Sequence, residues 1–126
     1  MLQRKAYEHL VKWKNTTDKK ALLITGARQI GKTYIIRKFA EENYSNFIEI
    51  NFITNPAKIF NGDLNAETIL INLTAYTQKP LVKGDTLIFF DEIQECPSAR
   101  TAIKFLVDDG QFDYIESGSL LGVRYK

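Results

Sequence analysis

Cysteine is nearly absent from this chain: Cys96 stands alone among 126 residues. That excludes an internal disulfide and a cysteine-built zinc site, and it makes a reducing compartment, the cytoplasm, the expected location. Three prolines and seven glycines are too few for a collagen-like or low-complexity disordered chain. No apolar run approaches the roughly 18 residues that span a bilayer, and the N-terminal segment carries charge where a signal peptide has its apolar core, so no membrane partner is expected. The one histidine, His9, falls on the polar side of the first predicted helix and reads as a surface residue. What remains is 44% hydrophobic and 25% charged. This is the balance of a globular protein, at a length that suits one domain with its own core over residues 1–126.

The net charge of +2 hides an asymmetry. Residues 1–38 hold ten Lys/Arg against Glu8 and Asp18, a net of +8, whereas residues 39–126 hold seven against thirteen acids, a net of −6. A basic first third of this size can face anions, nucleic acid among them, although basic patches are footprints and not proofs.

Hydrophobic spacing alternates between two periods along the chain. Leu2, Ala6, Leu10 and Trp13 predict an amphipathic helix, and Ala21 to Thr25 a buried strand ending at a glycine. Lys32 to Asn43 has helical spacing through Ile35, Ile36, Phe39 and Ala40, and Phe47 to Phe52 reads as a second strand. Asn65 is placed to cap a helix through Ile69, Leu70, Leu73 and Tyr76, stopped by Gln78-Lys79-Pro80. Thr86 to Phe90 is a third strand. Pro97 opens a helix through Ile103, Phe105 and Leu106 that ends at Gly110, and Phe112 to Glu116 is a fourth strand. This order predicts an α/β fold, a parallel sheet with helices on both faces.

Gly26-Ala27-Arg28-Gln29-Ile30-Gly31-Lys32-Thr33 fits G-x-x-x-x-G-K-[ST] between a predicted strand and a predicted helix, the context that a phosphate-binding P-loop requires. Glycines let the backbone wrap closely, so that N–H groups and a helix N-terminus face phosphate oxygens. Lys32 is expected to reach the β- and γ-phosphates, with a catalytic share in offsetting charge, and the Thr33 hydroxyl to ligate magnesium. Arg28 can face nucleotide, a partner or solvent.

Leu87 to Phe90 is an apolar strand that delivers Asp91 and Glu92 at its C-terminal end, where parallel sheets place ligands. Asp91 suits the shell of a magnesium ion, which takes one or two carboxylates. Glu92 then suits activation of a water in line with the γ-phosphate. The 59 residues from Lys32 to Asp91 leave room for a helix, a strand and another crossover before this strand returns beside the first. Ser117-Gly118-Ser119 closes the fourth strand and offers hydroxyls as γ-phosphate sensors, Ser119 ahead of Ser117; a plain Ser/Gly turn is the alternative. Gln94 and Glu95 can contact nucleotide or partner, or lie in a solvated loop. Cys96 has no histidine near it in sequence and no support as a nucleophile.

The nucleotide expected is ATP with Mg2+. An Asn/Thr-Lys-x-Asp base-reading motif, as in GTPases, is missing, and small-molecule kinases seldom place a glutamate straight after the magnesium-binding aspartate.

With these residues in place the chain resembles the AAA-like ATPase domain of a bacterial and archaeal family of predicted ATPases. The loop Gly26 to Thr33 matches G-A-R-Q-[VI]-G-K-T, Phe89 to Gln94 matches the apolar strand followed by Asp-Glu-Ile-Gln, and Ser117 to Ser119 matches a later Thr/Ser-Gly-Ser. Arg4 to Trp13 is similar to the family's opening helix. The resemblance implies a P-loop sheet of the additional-strand, catalytic-glutamate class, with Lys32, Thr33, Asp91 and Glu92 in the roles above. It also implies a fifth strand, a lid and a C-terminal domain beyond the fourth strand, so that residues 1–126 are expected to be the N-terminal part of a longer ATPase. Glu116 departs from the small or β-branched residue of the family, which bears on the geometry of the sensor turn. Hydrolysis of magnesium-ATP is the first reading, with a homo-oligomer or a partner protein receiving the state change. A nucleotide-controlled switch with negligible turnover and a DNA-associated ATPase are the alternatives.

Overall fold

A computed structural model of the chain describes residues 2–17, 19–26, 30–54 and 65–119. Helix α1 (Leu2–Lys14) is followed by β1 (Leu22–Gly26), α2 (Ile30–Asn43), β2 (Asn46–Asn51), α3 (Ala66–Thr77), β3 (Thr86–Asp91), a single 3₁₀ turn (Ile93–Glu95), α4 (Pro97–Asp109) and β4 (Asp113–Ser119). Local chemistry sets the boundaries. Asn65 Oδ1 accepts the Thr68 N–H at 2.8 Å and caps α3, a contact of about 1 kcal/mol. Gln78 closes the same helix in the left-handed region, and Gly110 (φ 74°) closes α4 in the conformation that favours glycine.

Two sequence expectations about packing change. Ala6 lies exposed on α1, because one methyl offers little area to bury. The helix instead faces inward through Tyr7, Leu10 and Val11, with Leu10 only 2% exposed and the Tyr7 ring edge-on to Phe39 at 5.8 Å. On α4 the buried stripe is Ala99, Ala102, Ile103 and Leu106, while Phe105, expected on it, is exposed.

All four strands are parallel, in the order β1-β4-β3-β2. β3 therefore does not return beside β1, as the spacing suggested; β4 is inserted between them. A strand buried on both faces belongs in the sheet interior. Every residue of β3 is buried, as are Tyr114 to Gly118 of β4, whereas β1 leaves Leu23 45% exposed at one edge. β4 also runs through Ser119, so Ser117-Gly118-Ser119 is strand and not turn.

Helices cover both faces, as expected. Ile48, Ile50, Ile88, Phe90 and Tyr114 pack under α3 and α4 with Ile69, Leu73, Ala102 and Leu106. Leu87, Phe89 and Ile115 pack under α1 and α2 with Leu10, Ile36, Phe39 and Ala40. Arg37 of α2 forks onto Glu49 of β2 through two 2.8 Å bonds, which fixes that helix over the β2 edge of the sheet. The alternation along each strand decides which residues share a face with α2.

Candidate nucleotide site

β1 ends at Gly26 and α2 starts at Ile30, so a strand precedes and a helix follows residues 27–29 as expected. Ala27, Arg28 and Gln29 lie outside the described residues. Gly31, Lys32 and Thr33 occupy the first turn of α2 and are partly exposed. No acid stands in that turn, so the positive end of the helix dipole meets no carboxylate of its own there.

The register across the C-terminal edge lines up the remaining residues. Asn51 pairs with Asp91, Phe90 with Glu116, Ile24 with Ser117, and Gly26 with Ser119. Asn51, Asp91 and Ser117 all lie on the α2 side, in step with Phe47, Phe89 and Ile115 below them. Their side chains meet. Ser117 Oγ donates to Asp91 Oδ1 at 2.6 Å, and Asn51 Nδ2 donates to Asp91 Oδ2 at 3.3 Å. The carboxylate, 7% exposed, is thus gripped on both oxygens. Asn51 is itself held, its Oδ1 accepting the Ile53 N–H at 2.8 Å, and the Asp91 carbonyl accepts the Phe52 N–H at 3.0 Å.

Glu92 follows in the left-handed region (φ 57°, ψ 48°), a conformation that disfavours a side chain by roughly 1–2 kcal/mol. The strand ends there because the next residues fold into the 3₁₀ turn, pinned by Ile93, which is buried in the α3/α4 core. Glu92 stays partly exposed. Its Oε1 accepts a hydrogen bond from Gln94 Nε2 at 2.8 Å.

The family described as an AAA domain matches residues 18–126. The chain belongs to the AAA domain family. No curated protein matches it. Membership in the AAA domain family carries a nucleotide-binding, ATPase-like function, and the all-parallel four-stranded sheet with helices on both faces is the fold that goes with it.

Within the AAA domain the expected site residues separate into groups. Asp91 and Ser117 are brought into contact, and Ser117 bonds the carboxylate. Ser119 is paired by its backbone with Gly26, where the loop begins. Glu116 points to the opposite face from Asp91, as alternation requires, with Oε1 buried and without a partner among the described residues. Burial pushes its carboxyl above the usual glutamate range, with Arg100 pulling the other way. Its size therefore does not intrude on the α2 side. Cys96 is buried and unpaired by disulfide. Asn51 had not been singled out by sequence reasoning; the signal was a polar residue at the C-terminal end of β2, in register with an aspartate. Among the described residues no helix is long and apolar enough to cross a membrane.

Proposed function

We propose that this AAA domain binds magnesium-ATP through Gly26 to Thr33 and hydrolyses it to ADP and phosphate. The observation that carries the reading is the doubly held Asp91, fixed by Ser117 and Asn51 at the sheet edge from which β1 feeds the loop. An aspartate gripped this tightly on its side oxygens is preorganised and loses little freedom when a ligand arrives.

The donor set fits magnesium. Mg2+ is bound by one or two carboxylates together with phosphates and waters, and among the described residues no cluster of three or more acids, histidines or cysteines competes as an all-protein metal cage. Asp91 and the Thr33 hydroxyl would hold the ion, which supplies charge neutralisation on the phosphate oxygens when bound. The chain's own groups do the rest. Loop N–H groups and Lys32 cradle the β- and γ-phosphates and disfavour other poses. Glu92 orients a water and accepts its proton as the water oxygen forms its bond to the γ-phosphorus. The bond from that phosphorus to the bridging oxygen breaks, and ADP leaves with the electron pair. Ser119, across from Gly26, remains the candidate for sensing the γ-phosphate.

Calorimetry with ATP, ADP and GTP, with and without magnesium, alongside phosphate release from the same full-length samples, tests this. Lys32→Ala is expected to abolish binding; unchanged affinity overturns the loop assignment. Glu92→Gln is expected to keep binding and lose about 100-fold or more in turnover. Binding without release from the parent chain overturns hydrolysis and leaves the nucleotide-controlled switch.

A further inference from the structure

The geometry points to Gln94 as a positioning residue that aims the Glu92 carboxylate at the attacking water, an inference that rests on the hydrolytic reading above. Only Ile93 separates the partners in sequence, and the left-handed turn at Glu92 folds the chain so that both side chains come to one side. Gln94 Nε2 then donates to Glu92 Oε1 at 2.8 Å. One carboxylate oxygen is occupied, and the other has no partner among the described residues.

The fold places the amide. Its Oε1 is buried and finds no donor among the described residues. The 3₁₀ turn that carries Gln94 is closed by Glu95 N–H to Glu92 carbonyl at 3.1 Å and Cys96 N–H to Ile93 carbonyl at 3.0 Å, and it is anchored by the buried Ile93. From β4, Gly118 supplies the space. A Cβ at that position would stand 2.6 Å from Gln94 Oε1 and 3.6 Å from its Cδ. Gly118 does not have the positive φ that Gly84 and Gly110 show, so the strand conformation there suits any residue. The absence of a Cβ is what lets the Gln94 amide lie where it does.

The residue type fits the task. An amide donates a hydrogen bond without bringing a charge, so it orients a carboxylate without pairing it as an ion. A lysine at the same place would pair with the base as an ion, and a glutamate would repel it. A leucine keeps the bulk and removes the donor. A base misaimed by a fraction of its reach loses rate while substrate binding is untouched, because the contact matters only as the water is deprotonated.

Steady-state ATP hydrolysis and magnesium-ATP affinity of the full-length protein provide the test. Gln94→Leu is expected to lower kcat by about tenfold or more with KM and affinity unchanged. Gly118→Ala is expected to do the same by displacing the amide, and because the displaced atoms end a flexible side chain, this variant folds even if Gln94→Leu does not. In a Glu92→Gln background neither substitution should reduce the residual rate further. An unchanged or raised kcat in both variants overturns the positioning role, as does an equal loss in the Glu92→Gln background. Absence of phosphate release from the parent chain is the separate result that overturns the hydrolytic reading itself, and the inference with it.

Discussion

Ser117 and Asp91, 26 residues apart in sequence, meet across the β3–β4 boundary through a 2.6 Å hydrogen bond between buried side chains. The hydroxyl donates and the carboxylate accepts. A serine expected to touch phosphate is thereby tied to the acid expected to hold magnesium. Removing it tests both ideas.

Ser117→Ala leaves Asp91 Oδ1 without its donor in a buried setting, which is worth about 1–3 kcal/mol. Urea unfolding should show the midpoint falling by that equivalent at unchanged slope. ATP affinity should drop when magnesium is present and hold when it is absent. An equal drop in both conditions would place Ser117 on the phosphate instead.

Glu92→Gly relieves the left-handed strain at φ 57° at the expense of the carboxylate. Thermal unfolding should show a protein as stable as the parent or more so, by up to about 2 kcal/mol, with hydrolysis lost. A clear drop in stability would mean that the Glu92–Gln94 contact outweighs the strain.

Glu116 makes stability depend on pH in a known sense. Burial raises its carboxyl above the ordinary 4.5, so the folded protein keeps this proton to higher pH than the unfolded chain. The associated stability is fully present below 4.5 and is lost as pH rises through the folded value. Glu116→Gln removes that loss. Its melting temperature should exceed the parent's by a few degrees above neutral pH, with the gap closing in acid below 4.5; a gap that stays constant with pH would separate the effect from ionisation.

Much of the fold was legible in the residues because the information is local. Helical spacing in α2, α3 and α4, the Asn65 cap, the Pro97 start and the Gly110 stop each depend on neighbours within a turn or two, and the observed boundaries follow them closely. The α1 face was misjudged because Ala6 and Tyr7 both fit a helical stripe, and only the Phe39 ring opposite decides between them. The end of β4 stayed open between strand and turn for the same kind of reason: Ser117-Gly118-Ser119 has turn composition, and its pairing with Ile24 to Gly26 of β1 keeps it extended.

By itself the sequence determined the alternation of strand and helix, the parallel sheet covered on both faces, and the residue types at the phosphate motif and the acidic strand end. These rest on periodicity and local backbone preference, which act within short windows of chain. Tertiary structure alone decided that β4 enters between β1 and β3, that Ser117 and Asn51 close on Asp91 from two different strands, and that Gly118 makes room for Gln94. Those contacts join residues 24 to 40 positions apart, and no local pattern can specify which distant partner a buried polar group will find until the strands are side by side.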